Sequence, residues 1–112
     1  MLYISNVFTI NMLDTHRVLC FNPVGVKAAS WIAKGQCKEN FKFQSLVGHA
    51  DMATVISEDL GVEIPHNRIS VSLKPEDTLL VAQYKGPRLS EGTTKLPKGA
   101  IIEYWMVTND TH

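Results

Sequence analysis

Val47-Gly48-His49-Ala50-Asp51 places a histidine at the start of a helix, just after a β-like run and a glycine suited to turning the chain. The first N–H groups of a helix lack intrahelical partners and carry partial positive charge, so they attract anions such as phosphate. A histidine among them can bind a phosphate or move a proton beside one. The plainer alternative is that Gly48 only serves a turn and His49 is an ordinary exposed residue. A second concentration of chemistry is Lys85-Gly86-Pro87-Arg88-Leu89-Ser90-Glu91-Gly92, an irregular loop marked by glycine and proline. Arg88 offers a planar fork of donors to phosphate, and Glu91 can orient that arginine or accept from a ribose hydroxyl. A surface Arg–Glu pair of small energetic consequence is the competing reading. Asn6, Thr9 and Asn11 set amide and hydroxyl groups inside an otherwise apolar stretch. They either bond local backbone or face a ligand at a strand end. Gln83 stands where another strand emerges.

The elements that must carry these residues follow from patterning. Leu2 to Phe8 is rich in β-branched and aromatic residues and predicts a strand leading into a polar-edged turn. Arg17 to Phe21 predicts a second short strand, ended by Asn22-Pro23 because proline has no N–H for a sheet ladder. Ala28, Ala29, Ile32 and Ala33 recur at helical spacing between about Val24 and Gln36, with Trp31 expected to pack beside them. Phe41, Phe43 and Ser45 alternate with Lys42, Gln44 and Leu46, a third strand running into Gly48. Met52, Ala53, Ile56 and Leu60 form one stripe of a helix from His49 to Leu60, with Gly61 suited to end it and Pro65 blocking its continuation. Arg68 to Leu73 alternates, so a strand is expected with Ile69, Val71 and Leu73 facing a core and the arginine and serines facing outward. Leu79 to Ala82 is continuously apolar, as in a central strand covered on both faces, and Ile101 to Val107 predicts the last strand. The expectation is a single α/β domain over residues 1–112, with a mixed sheet of five or six strands flanked by helices.

Composition narrows the function classes. A chain of 112 residues suits one domain with one real core. Its formal net charge of zero argues against a protein that grips DNA or other long nucleic acid by bulk electrostatics, yet leaves room for a small anionic ligand in a local pocket. No apolar run approaches the roughly 20 residues of a membrane span, and the N-terminus lacks a basic region before an apolar core. A cytoplasmic protein without membrane association is expected. Cys20 and Cys37 lack metal-type spacing and read as reduced structural thiols, and nothing in the sequence argues for a metal.

Several separated motifs, in order, resemble a small viral and prophage family: Tyr3-Ile4-Ser5-Asn6-Val7-Phe8-Thr9-Ile10-Asn11-Met12-Leu13, the Val47-to-Asp51 helix start, Asn67-Arg68, and the run from Val81 to Gly92. These are the type III CRISPR antagonists (anti-CRISPR proteins) that act as ring nucleases on cyclic tetra-adenylate. The similarity spans Leu2 to about Val107. Thr9 stands where serine is expected and keeps the hydroxyl. Ser90 stands where proline is common, a change expected to loosen the loop, and Val7 for alanine concerns packing.

The resemblance implies a homodimer enclosing a cyclic RNA tetramer and cutting it, with neither metal nor cofactor, into linear di-adenylates. It would act in the cytoplasm of an infected prokaryotic host. It implies His49 as general acid and Glu91 beside it, with Asn6, Thr9, Asn11, Gln83 and Arg88 around the ring. The chemistry agrees: cleavage by the RNA's own 2′-hydroxyl needs in-line positioning, charge stabilisation at phosphorus and a proton for the departing 5′-oxygen. A two-fold dimer also matches a ring of four identical nucleotides, so two copies of His49 would face opposite phosphodiesters. The phosphates of a bound ring are expected to favour the charged form of His49. A non-catalytic protein that sequesters the ring, a small viral interaction protein, and a ring nuclease of the host's own defence system are the alternatives.

Overall fold

Alternation of apolar residues in the first and last strands, and a near-continuous apolar run in the strand between them, build one mixed sheet with two helices on a single face. The computed structural model describes residues 1–13, 18–35 and 43–109. Its strands are β1 (Leu2–Ser5), β2 (Leu19–Val24), β3 (Phe43–Ser45), β4 (Thr78–Lys85) and β5 (Ile101–Asn109), and its helices are α1 (Val26–Ala33) and α2 (Ala50–Leu60). A short 3-10 helix, Ile10–Met12, follows β1. Strand order is β2-β5-β4-β1-β3, with β1 parallel to both β3 and β4, and β5 antiparallel to β4 and β2. The α/β domain expected from patterning, a mixed sheet of five or six strands flanked by helices, is present with five strands.

Register sorts the side chains onto two faces. Leu2, Ile4, Leu80, Ala82 and Tyr104 join Ala29 and Ala33 of α1 and Ala53, Ile56 and Leu60 of α2 in the main core. Leu79, Val81 and Val107 point the other way, where they meet Leu46, Leu73, Phe8 and Met12 from irregular segments. β4 is thus covered on both faces, but by helices on only one.

Four expectations change. Asn22-Pro23 does not end β2: Pro23 pairs with Trp105 inside the strand. β2 is the sheet's edge, where a missing N–H faces outward and costs no ladder bond. Arg68 to Leu73 is extended but is not a strand; its one bridge joins Leu73 to Leu13, and Ile69 is 44% exposed. Leu73 and Val71 pack on the helix-free face instead of extending the sheet, so two of the three residues expected to face a core do so. Trp31 does not pack: it stands half exposed on the outer side of α1, whose buried residues are Ala29 and Ala33. Ala28 is exposed as well. Arg17, Gln36, Cys37, Phe41 and Lys42 lie outside the described residues.

Topology decides where a ligand fits. The chain leaves β1, returns on one side of it as β3, and after α2 returns on the other side as β4. A crevice forms at the carboxyl end of β1, as is usual where strand order reverses in an open sheet. Asn6 follows β1, Gly48-His49 follows β3 by three residues, and Gln83 lies near the end of β4.

Candidate functional site at the carboxyl ends of the parallel strands

Two buried serines shape this edge. Ser5 Oγ accepts the N–H of Val7 and Ser45 Oγ accepts that of Val47, each at 3.2 Å. Such bonds fold the chain as it leaves a strand, so Asn6 and Gly48 turn away from the sheet at neighbouring points. His49 then starts α2. Its backbone is extended and its Nδ1 accepts the N–H of Met52 at 3.2 Å, making the imidazole itself the helix N-cap. In this geometry Nδ1 is an acceptor, and the proton of the neutral ring sits on Nε2, directed away from the helix backbone.

A cavity of about 460 Å³ opens between these strand ends and the extended segment. Its polar lining is Ser5, Asn6, Thr9, Asn11, His49, Arg68 and Ser70, and among the described residues no carboxylate lines it. The side chains of Asn6, Thr9, Asn11 and Arg68 make no hydrogen bond or ion pair among the described residues, so their donors are open to a ligand. A cavity with an arginine, a histidine and free amides but no acid favours an anion.

The extended segment is fastened by side chains rather than by a ladder. Asn67 Nδ2 donates to Ser45 O at 2.8 Å, the Asn67 N–H donates to Val47 O at 2.9 Å, and His66 Nε2 lies 3.1 Å from Gly48 O. These contacts lay Arg68 across Gly48, where an added Cβ would stand 3.2 Å from Arg68 Cγ. Gly48 thus lets the arginine stem lie close beside His49, and a side chain there would push that stem by a few tenths of an ångström.

Of the residues expected at the site, the structure brings Asn6, Thr9, Asn11 and His49 together in one cavity. Gln83 borders a neighbouring hollow of about 490 Å³ on the helix-free face, with Trp105, Val81, Val107, Phe8 and Phe21; Asn6 and Val7 border both. Arg88 and Glu91 line neither; they sit exposed in the loop between β4 and β5. That loop is anchored at two points. The Tyr84 hydroxyl donates to Pro87 O, and the Gly92 N–H donates to Asp51 Oδ2 at 3.3 Å. Arg68 was missed as a site residue. Alternation had assigned it to an outward face, and that outward face proves to be the cavity wall. No group of three or more His, Cys, Asp or Glu suited to a metal occurs among the described residues, and no helix there is long and apolar enough to cross a membrane.

Fold and site together define a small α/β protein with a cleft suited to an anionic ligand at the carboxyl ends of the parallel strands β1 and β3. The chain belongs to the STIV B116-like family, whose family model matches residues 2–103. Among solved structures it is similar to B116 of Sulfolobus turreted icosahedral virus, with a TM-score of 0.81 at 20% identity over 96% of this chain and 97% of that one. At that identity the likeness carries the fold alone, and membership of the family rests on the family model. No curated protein matches.

Proposed function

We propose that the protein is a metal-independent ring nuclease that opens cyclic tetra-adenylate into linear di-adenylates and so switches off type III CRISPR signalling. The observation that carries this reading is the cavity in which His49 and Arg68 stand beside the unpartnered Asn6, Thr9 and Asn11, with no acid among its described lining residues. In the reaction, a ribose 2′-oxygen bonds to the adjacent phosphorus, the P–O5′ bond breaks, and a 2′,3′-cyclic phosphate forms. The 2′-hydroxyl gives up its proton to solvent, and the departing 5′-oxygen takes one from His49. Arg68 and Arg88 offset charge at phosphorus. Asn6, Thr9, Asn11 and Gln83 hold the ring.

A cavity of about 460 Å³ suits one drug-sized ligand, so a ring of four nucleotides needs a second copy of the chain. In a two-fold homodimer each site residue occurs twice, and cutting at opposite phosphodiesters gives two equal products. The exposed Val7, Phe21 and Ile69, all beside the two hollows, favour such an apolar contact.

His49 carries the competing reading too. Its Nδ1 is engaged in capping, a structural duty that a protein which merely sequesters the ring would also need. Acid catalysis uses the imidazolium, whose Nδ1–H cannot accept from Met52, so the ring must leave its cap when it charges. Incubation with cyclic tetra-adenylate in EDTA, followed by mass analysis, separates the readings. Linear di-adenylates are expected from the wild type and slower by about 10²–10⁴-fold from His49→Ala. An intact ring retained by the protein would make it a sequestering protein. Neither binding nor cleavage would overturn the nucleotide reading altogether.

A further inference from the structure

We infer that Asp51 is a positioning residue that ties the Arg88–Glu91 loop to the helix bearing His49. The inference rests on the ring-nuclease reading for its catalytic consequence and on geometry alone for the tie. Asp51 lies in the first turn of α2, two residues after the histidine, and its Oδ2 accepts the N–H of Gly92, 41 residues further along the chain. Gly92 adjoins Glu91 and has φ +81°, so it is the point where the loop reverses with a backbone that side chains disfavour. Between the Tyr84–Pro87 anchor and the Asp51–Gly92 anchor lie Arg88, Leu89, Ser90 and Glu91. The Thr93 N–H and hydroxyl both donate to Ser90 O, closing the turn from inside.

A carboxylate close to an anionic ligand weakens its binding through like-charge repulsion. Asp51 is the acid that α2 carries in its first turn, and it spends its oxygen on a loop N–H instead of facing the cavity. Favourable interaction with the helix dipole accounts for an acid at this position but not for the bond to Gly92. The bond links the loop to the turn that carries His49, which matters because small misplacement of reacting groups costs large factors in rate.

Two substitutions in the full chain test this. Asp51→Asn keeps an acceptor oxygen and loses the charge; Asp51→Ala loses both. Amide hydrogen exchange at Gly92 is expected to accelerate about tenfold or more in Asp51→Ala while staying near wild type in Asp51→Asn. The Ala53 amide, which bonds His49 O at 2.9 Å, reports whether the helix start itself has frayed. Cleavage of cyclic tetra-adenylate is expected to fall by about 10–100-fold in Asp51→Ala, mainly in kcat, with Asp51→Asn restoring most of the rate. Unchanged Gly92 exchange in Asp51→Ala would overturn the tie. Equal loss of rate in both variants would overturn the positioning role in favour of the charge. A wild type that does not cut the ring would instead reject the ring-nuclease reading, and Gly92 exchange would then decide the tie by itself.

Discussion

His49 serves two masters at the residue scale: its Nδ1 holds the first turn of α2, and the residue lines the cavity. Asparagine caps helices well but offers no titrating proton, so it separates the two duties. His49→Asn is expected to unfold at the wild-type denaturant midpoint yet cut the ring about 10²–10⁴-fold more slowly. His49→Ala is expected to lose about 1 kcal/mol of stability as well. Paired denaturation and cleavage measurements check this; equal stability of the alanine variant would show the cap to be inconsequential. Arg68 predicts the converse split. It is exposed and makes no polar contact among the described residues, so Arg68→Ala is expected to change stability by less than about 0.5 kcal/mol. Removing one charge-assisted phosphate contact is nonetheless expected to weaken ring binding by about tenfold or more, measured by calorimetry with a non-cleavable ring. The histidine was legible in the sequence because a glycine and a helix start bracket it. The arginine's place was not, since it depends on Asn67 reaching Ser45 across 22 positions of chain.

At the scale of elements, what could be read was what periodicity alone determines. The stripe of Ala53, Ile56 and Leu60 and the stop at Gly61, whose φ of 70° is left-handed, follow from spacing and from glycine's lack of a Cβ. What could not be read depended on neighbours. Pro23 is tolerated because β2 has a partner on only one side, and Val71 and Leu73 alternate like a strand but pack on a sheet face. Gly86 belongs with these: a Cβ there would lie 2.5 Å from the Cβ of Ala100 and 3.0 Å from its Cα. Gly86→Ala is expected to cost about 1–3 kcal/mol by prising open the base of the Arg88–Glu91 loop, seen as a lowered denaturant midpoint. Helix and sheet are also pinned to each other by the Tyr104 hydroxyl, which donates to Asp59 Oδ2. Burial, with the Asp59 hydrogen bond and charge next, pushes the Tyr104 phenol well above its ordinary range. A raised native value means that its contribution is complete below the unfolded value of about 10 and is lost as pH rises beyond it. Wild-type stability is therefore expected to fall by up to about 1.4 kcal/mol per pH unit above 10 from this group, a component absent in Tyr104→Phe.

On the scale of the whole molecule, the asymmetry of the sheet is the feature that reaches function. Both helices cover one face, and the other keeps a hollow walled by Val81, Trp105 and Val107, with Phe21 at 48% exposure on its border. Phe21 meets Phe8 edge-on, with ring centroids 5.5 Å apart. Exposed apolar residues beside a cavity too small for the proposed ring fit a two-fold contact that buries them and completes the site at once. The prediction is that the chain, 12.5 kDa alone, sediments at twice that mass, and that Phe21→Glu shifts it to the single mass. Because Phe21 is already half exposed, the variant should unfold at nearly the wild-type midpoint. Its cleavage of the ring should nevertheless collapse, and mixing it with His49→Ala should not restore activity. Wild-type protein that cuts the ring while sedimenting as a single chain would remove the need for a partner and place the whole reaction in one cavity. Loss of dimer without loss of cleavage would have the same meaning.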